Sequence, residues 1–147
     1  MRSMATRSIP LSNYPVMRSS DPELVRDRLF TVFGASGFDF DRSSNAFSVT
    51  ANHLQMRGLG LSYCDYASDV SIRFGEASFV RQIFNIEGIG RYATGSQVGD
   101  IAPGSCTPIL EAEAPLRFDY KAGYRQLVLR IEVAALRRNL GALIGQE

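Results

Sequence analysis

The residue types that could do chemistry are few in this chain of 147 residues. His53 is the only histidine, and it lies in an alternating segment typical of a strand. Nucleophilic catalysis needs a histidine that is held by a carboxylate and faces a nucleophile, and no G-x-S-x-G motif is present. Cys64 and Cys106 lie outside any C-x-x-C spacing and are expected to be buried free thiols. These residues predict no enzyme, no metal site and no cofactor.

Three arginines, Arg73, Arg81 and Arg125, lie within or beside apolar strand-like segments. An arginine that faces the interior of a β-protein is costly unless an anion or a carboxylate meets it; the alternative is that each one faces water. Gln82 and Gln126 either bind a ligand or bind each other. Together with nearby aromatic rings, these residues favour a pocket for an anionic or aromatic small molecule. The predicted ligand-binding residues are Tyr63, Arg73, Gln82, Phe84 and Tyr124.

Strands must position these side chains. Short runs of β-branched and aromatic residues alternate with Gly, Ser, Asp and Pro, as is typical of strands and turns. Many short strands without strand–helix alternation predict a mostly β sandwich or barrel and disfavour a parallel α/β sheet. The predicted strands are 37–41, 47–53, 59–63, 70–74, 79–88, 106–110, 116–120 and 124–132.

A helix is predicted at each end of the strand-rich region. Ser20 and Glu23 have the spacing of a capping box, and Gly34 supplies a stop, which predicts a helix over 21–33. Near the C-terminus, leucines recur at helical spacing and form an apolar stripe. That stripe either packs on the barrel or pairs with a second copy of the chain. The predicted dimer interface is Leu136, Leu140 and Leu143.

Composition and charge limit the class of protein. The length fits one domain, with residues 1–19 as an N-terminal arm that is either flexible or docked by Ile9, Leu11, Tyr14 and Val16. Lys and Arg total 16 against 15 Asp and Glu, so no basic surplus favours nucleic-acid binding by this chain itself. No apolar run approaches a membrane span, and the first residues lack the apolar stretch of a secretory signal. We therefore expect a cytoplasmic protein that does not bind membranes.

The order of segments resembles the N-terminal cupin-like domain of AraC/XylS-type transcription regulators. The segments that carry the resemblance are DPELVRDRLFTVFG, FVRQIFNIEGIGRY, the loop VGDIAPGS, and the closing YRQLVLRIEVAALRRNLGALIG, within residues 20–147. The resemblance implies a jelly-roll-like barrel with an N-terminal helix and one or two C-terminal helices. It implies an effector-sensing or dimerisation domain, a homodimer, and DNA binding only through a C-terminal helix-turn-helix domain that is absent from this sequence.

Two departures from related proteins refine this expectation. Metal-dependent cupin enzymes carry a pair of histidines before a glutamate and another histidine later, and this chain lacks that set, which favours a non-metal sensor. The turn that commonly reads Pro-Gly-Asp is Pro103-Gly104-Ser105 here. The alternative to a regulator domain is a stand-alone, non-metal, cupin-like protein that binds a small molecule.

Overall fold

Two antiparallel sheets face each other across an apolar core; one helix follows the first strand and the other follows the last. The computed structural model describes residues 8–43, 45–111 and 113–145. One sheet has the order β1-β3-β4-β10-β6 and the other β2-β5-β9-β7-β8. The elements are β1 (Pro15–Ser19), α1 (Pro22–Thr31), β2 (Ala35–Phe40), β3 (Val49–Met56), β4 (Leu59–Tyr66), β5 (Val70–Phe74), β6 (Phe79–Glu87), β7 (Gly90–Ala93), β8 (Val98–Ile101), β9 (Leu116–Tyr120), β10 (Tyr124–Glu132) and α2 (Val133–Ile144).

The core forms where the inner faces of the two sheets meet. Tyr66 in β4 stacks on Tyr120 in β9 with ring centroids 5.2 Å apart, so aromatic rings from both sheets share one layer. Phe118 and Ile72, each about 1% exposed, continue this layer from the second sheet. Burial of such side chains contributes roughly 1.5–3 kcal/mol each and is the main force that closes the barrel. The prediction of a mostly β, cupin-like barrel with an N-terminal helix and one or two C-terminal helices is confirmed, and the structure has one C-terminal helix among the residues it describes.

Most predicted strands are present, and one is absent. The strands over 70–74 and 116–120 have the predicted bounds. Residues 106–110 were expected to form a strand but make only two isolated bridges to β6, Cys106 with Phe84 and Leu110 with Arg81. Pro108 lies between the two bridges and has no amide hydrogen to continue a ladder. The short strands β1, β7 and β8 were not predicted because their sequences lack a sustained alternation.

The helix α1 begins one residue later than the predicted capping box. Its N-cap is Asp21, whose Oδ1 accepts from the Glu23 amide at 3.0 Å, so Ser20 is not the cap. The Ser19 hydroxyl accepts from the Asp21 amide at 3.0 Å and helps to fix the cap residue. Gly34 follows the helix with φ 73°, a left-handed conformation that glycine adopts without strain.

Part of the predicted N-terminal arm docks on the barrel. Pro15–Ser19 forms β1 along β3, and the Asn52 side-chain amide donates to the Pro10 carbonyl at 2.9 Å. Ile9 and Tyr14 remain exposed, whereas Met17 is buried in the core and Val16 packs against it, so side-chain burial adds to the backbone pairing. Residues 1–7 of the arm and residues 146–147 lie outside the described residues. No helix in the described part of the chain is long and apolar enough to cross a membrane.

The two cysteines occupy different environments. Cys64 is buried on the inner face of β4, as predicted, whereas Cys106 is exposed on the segment beside β6. The expectation of a second buried thiol is therefore wrong. Residues 106–110 run along the edge of the first sheet and do not enter the core as a strand, which leaves this sulfur at the surface.

The cap assignment gives a stability prediction. Asp21→Ala is expected to lower the free energy of unfolding by about 1 kcal/mol, because the first-turn amides lose their side-chain acceptor. The matched variant Ser20→Ala should change it by less than about 0.5 kcal/mol. Urea denaturation followed by circular dichroism measures both, and equal losses would contradict the assignment.

Candidate functional site: a cationic row inside the barrel

One row of residues crosses four strands on the inner face of the first sheet. Gln55 in β3 pairs with Gly60 in β4, Gly60 pairs with Arg130 in β10, and Arg130 pairs with Arg81 in β6. Side chains at alternate positions of a strand share one face, so this register brings both arginines to the same side of the sheet. We call Gln55, Gly60, Arg130 and Arg81 the rim row.

Arg81 is buried although it is charged. Its side chain is 4% exposed, and its guanidinium carbon lies 4.2 Å from the ring centroid of Phe74 and 4.6 Å from that of Phe79. The guanidinium carbon of Arg130 lies 4.4 Å from the Phe79 ring centroid. Within the described residues, neither arginine forms an ion pair. Aromatic faces partly replace water around these cations, but no carboxylate neutralises them.

This arrangement disfavours the two positive charges. Burial lowers the pKa of Arg81 to about 10, and the neighbouring charge of Arg130 acts in the same direction. Burial also lowers the pKa of Arg130, whose Nε is buried without a hydrogen-bond partner. Like charges directly opposite each other in a sheet are destabilising. An anion placed between the two guanidinium groups would remove that repulsion and satisfy the vacant donors.

Beside the rim row lies a hydrogen-bonded histidine. Because the Gln55 Oε1 atom can only accept, His53 Nε2 donates to it at 3.1 Å, and the Ser62 hydroxyl then donates to Nδ1 at 2.6 Å. The Gln55 amide nitrogen is itself fixed, since it donates to the carbonyl of Leu59 at 3.1 Å. Burial lowers the pKa of His53, the Gln55 hydrogen bond opposes this, and the positive charge of Arg130 lowers the pKa further. The neutral ring is thus favoured next to the cations.

A narrow cavity runs inward from the rim row. Its volume is only about 30 Å³. Leu29 and Phe33, from α1 and the turn after it, close one side, and the Phe33 ring meets His53 edge to face at 5.8 Å. Deeper in the cavity, the Gln126 Oε1 atom is buried without a hydrogen-bond partner. A ligand larger than a few waters would have to displace a side chain at the rim.

The three arginines weighed in the sequence divide into two classes. Arg73 lies on the outer face of the second sheet and pairs with Asp39 at 3.0 Å. Arg125 faces outward from β10 and pairs with Asp65 at 3.4 Å and Glu87 at 3.6 Å. Both therefore have carboxylate partners at the surface. Arg81 alone of the three faces inward.

Three more of the predicted ligand-binding residues also lie on the outer side of the first sheet. Tyr63 and Phe84 point away from the cavity, because their neighbours along each strand point into it. Gln82 uses its amide to donate to the Thr107 carbonyl at 3.0 Å, which holds the segment 106–110 against β6. The structure therefore does not bring the predicted set together around this cavity.

Tyr124 is the one predicted ligand-binding residue that points into the barrel. It is fully buried and stacks on Tyr120 with ring centroids 4.1 Å apart, at the end of β10 away from the rim row. Its hydroxyl has no hydrogen-bond partner, and burial raises its pKa well above the usual value of 10. It belongs to the stacked aromatic rings of the core and does not line the cavity.

The sequence analysis missed Arg130, Gln55, Gly60 and Phe79. Only the pairing of β10 with β6 and β4 places them beside Arg81, and no local pattern contains that pairing. One signal was available: Arg130 lies two residues after Val128 and four after Gln126 in β10, so these three side chains lie on the same face of the strand. Among the described residues, no group of three or more His, Cys, Asp or Glu could hold a metal ion.

Comparison with known proteins agrees with this architecture. Residues 25–146 match the AraC-binding-like domain family. The AraC-like transcriptional activator CuxR has a similar structure, with a TM-score of 0.59 and 12% identity, over 74% of this chain and 42% of the activator. A predicted oxalate decarboxylase from Thermotoga maritima has a TM-score of 0.55 and 12% identity, over 86% of this chain and 99% of that protein. No curated protein matches the sequence.

A cupin superfamily protein from Desulfitobacterium hafniense is also similar in structure. Its TM-score is 0.52 at 16% identity, over 57% of this chain and 77% of that protein. At these identities the similarity extends to the fold alone. The neighbours include both an activator and proteins described as enzymes, so the fold is compatible with either class.

The environment of His53 gives a pH prediction. Its pKa is lowered in the folded protein, so the unfolded chain binds more protons as the pH falls below about 6.5. The free energy of unfolding is therefore expected to decrease between pH 7.5 and pH 5.5, and His53→Gln should reduce that decrease. Urea midpoints measured at both pH values test this. Equal decreases in the wild type and His53→Gln would show that His53 does not contribute.

Proposed function

We propose that this chain, which belongs to the family of AraC-binding-like domains, senses a small anionic effector that binds between Arg81 and Arg130 at the rim of the barrel. In this proposal it is the regulatory part of an AraC-type transcription regulator, and a C-terminal helix-turn-helix domain outside this sequence binds the DNA. The function is binding and signalling without catalysis.

The observation that carries the proposal is the buried Arg81 beside the half-buried Arg130. A buried charge without a partner costs several kcal/mol, and two like charges side by side cost more. Sequences retain such an arrangement where it serves a function, and perturbed cations inside a cavity are candidates for ligand binding. A carboxylate or phosphate group between Arg81 and Arg130 converts the repulsion into two charge-assisted contacts.

The residues that line the site further limit the chemistry of the ligand. Phe74 and Phe79 confine the guanidinium group of Arg81, so its planar edge is held in a fixed orientation. A fixed guanidinium favours a planar or tetrahedral oxyanion that it can contact through two N–H groups. Ser62 and Gln126 line the cavity behind the cations and supply further hydrogen-bonding groups. Each of these groups binds and orients an acid, and we assign them no chemical step.

A signal from this site has a short route to α2. Arg130 lies two residues before the end of β10, and Glu132 is the N-cap of α2. The helix is attached there through two backbone bonds, from the Glu132 amide to the Gly58 carbonyl at 3.0 Å and from the Val133 amide to the Ser78 carbonyl at 2.9 Å. A ligand that moves Arg130 would strain or relieve these two bonds. The alternative, a stand-alone binding protein, uses the same site but needs no such coupling.

The apolar stripe on α2 supports a homodimer. Leu140 is 50% and Leu143 82% exposed, whereas Leu136 is half-buried against the barrel. Exposed leucines in register on one helix face gain about 25 cal/mol for each Å² that they bury. We propose that Leu136, Leu140 and Leu143 pair with the same stripe of a second copy around a two-fold axis.

Anion binding at Arg81 is testable by thermal unfolding with a panel of small carboxylates and inorganic phosphate at matched ionic strength. A ligand at ten times its dissociation constant adds about 1.4 kcal/mol, a shift of about 4 °C in the unfolding midpoint. Arg81→Met should abolish the shift. Without ligand, this variant should unfold at the same or a higher temperature than the wild type, because the unpaired charge is gone.

Arg73→Met is the matched control for this test. It removes an arginine of the same length from the outer face of the second sheet, where Asp39 already pairs with it. The ligand-induced shift should survive in this variant. No shift with any anion, or a shift that persists in Arg81→Met, would contradict the proposal.

The dimer proposal predicts that Leu140→Glu converts the protein to a monomer, because a carboxylate cannot be buried in the apolar contact. Ala142→Glu adds the same charge on the opposite side of α2 and should leave the dimer intact. Light scattering coupled to size exclusion measures the mass of each. A wild-type monomer, or an unchanged mass in Leu140→Glu, would refute the proposed interface.

A further inference from the structure

We infer that the effector is an elongated acid with a cationic group at its far end, which lies in a groove outside the rim row against Glu132. This inference rests on the proposed function, since it places the anionic end of the same molecule on Arg81 and Arg130. It adds a second subsite and a chemical class to that proposal.

The groove is continuous with the rim of the barrel. Its volume is about 350 Å³, against about 30 Å³ by the same measure for the interior cavity, and Arg130 lines both. The side chains of Gln55 and Arg130 converge over Gly60, where a Cβ atom would lie 3.0 Å from Gln55 Oε1 and 3.4 Å from Arg130 Nε. The His53 Cε1 atom lies 3.1 Å from the same position, and Arg130, as a residue of both linings, joins the two spaces. A molecule held by Arg130 at the rim therefore continues most easily outward into the groove.

The interior alone is too small for the ligand that its charges attract. About 30 Å³ accommodates one or two waters, and an organic acid is several times larger. If the anionic group takes that space between the arginines, the rest of the molecule must lie elsewhere. The groove is the adjoining space, and its lining, which includes Phe79 and Leu59, is more polar than apolar. Such a lining fits a molecule that carries a polar group at its outer end.

The charges along β10 define the polarity of the molecule. Arg130 and Glu132 lie on the same face of the strand, about 7 Å apart along its axis. Glu132 lines the groove, and within the described residues its carboxylate forms no ion pair and no cap bond to α2. The strand therefore presents a cation inside and an anion outside. A ligand complementary to this order is anionic at its inner end and cationic at its outer end.

The position of Glu132 also connects the outer subsite to α2. Gly58, on the opposite wall of the groove, accepts the Glu132 amide hydrogen, and a Cβ atom at residue 58 would lie 2.8 Å from the Ala135 Cβ. The groove is thus bounded by the contacts that attach α2 to the β3–β4 turn. A ligand that spans both subsites touches the helix attachment, whereas a short acid reaches only the arginines.

Three probes of equal chain length separate the two subsites: hexanoate, 6-aminohexanoate and adipate. Dissociation constants are measured by amide NMR titration of the full chain at matched ionic strength. We expect 6-aminohexanoate to bind about fivefold more tightly than hexanoate, the gain of one partly exposed ion pair, and adipate to bind more weakly than 6-aminohexanoate. Glu132→Gln should equalise 6-aminohexanoate and hexanoate without weakening hexanoate. Glu111→Gln, an exposed glutamate outside the groove, should leave the preference unchanged.

The outcomes distinguish the two proposals. If all three probes bind equally in the wild type, or if Glu132→Gln leaves the preference intact, the groove is not a cationic subsite, while Arg81-dependent anion binding stands. If none of the three binds but phosphate or a shorter acid stabilises the protein through Arg81, the elongated ligand is again overturned and the proposed function is not. If no anion binds at all, both the proposed function and the elongated ligand are overturned.

Discussion

Two arginines, Arg81 and Arg130, are paired across β6 and β10 on the inner face of the first sheet, and the organisation of the rim follows from their placement. Arg130 and Arg81 face inward only because β10 pairs with β6 in a register that aligns them. A slip of one residue would turn the side chains of β10 to the other face of the sheet. The surrounding rings of Phe74 and Phe79 solvate these cations in place of water. The apolar core below thus fixes the register, and this register places the two arginines side by side at the rim.

The sequence was sufficient for the architecture because local patterns encode strands and caps. Alternating residues over 116–120 predicted β9 at its exact bounds, whereas the helix predicted over 21–33 spans Pro22–Thr31 and ends before Gly34. The helix cap shifted by one residue, from Ser20 to Asp21, because both residues can accept from first-turn amides and only the backbone geometry selects between them. The failure over 106–110 has a similar origin, since Pro108 interrupts a run whose composition is otherwise strand-like.

The candidate site was less predictable because it depends on phase and pairing. Gln82 and Arg81 are neighbours in sequence, yet one fixes a surface segment and the other lies at the centre of the site. A strand that is apolar on both faces gives no local indication of which face is inside. The physical criterion that an inward arginine needs an anion singles out Arg81 only once Arg73 and Arg125 are found paired with surface carboxylates. Arg130 could be identified as a site residue only from its pairing with Arg81 across β10 and β6.

The site lies at the end of the strand that leads directly into α2, and this placement has a thermodynamic consequence. Arg130 and Glu132 lie in the last three residues of β10, and the amides of Glu132 and Val133 anchor the helix to Gly58 and Ser78. A ligand shifts an equilibrium between helix positions only by its difference in affinity for them, so contact with the anchoring segment is what allows binding to be transmitted. Linkage is reciprocal: if the proposed effector changes how strongly a second copy binds the apolar stripe of α2, the second copy changes effector affinity by the same factor. Effector affinity and self-association would therefore be one coupled property of this barrel.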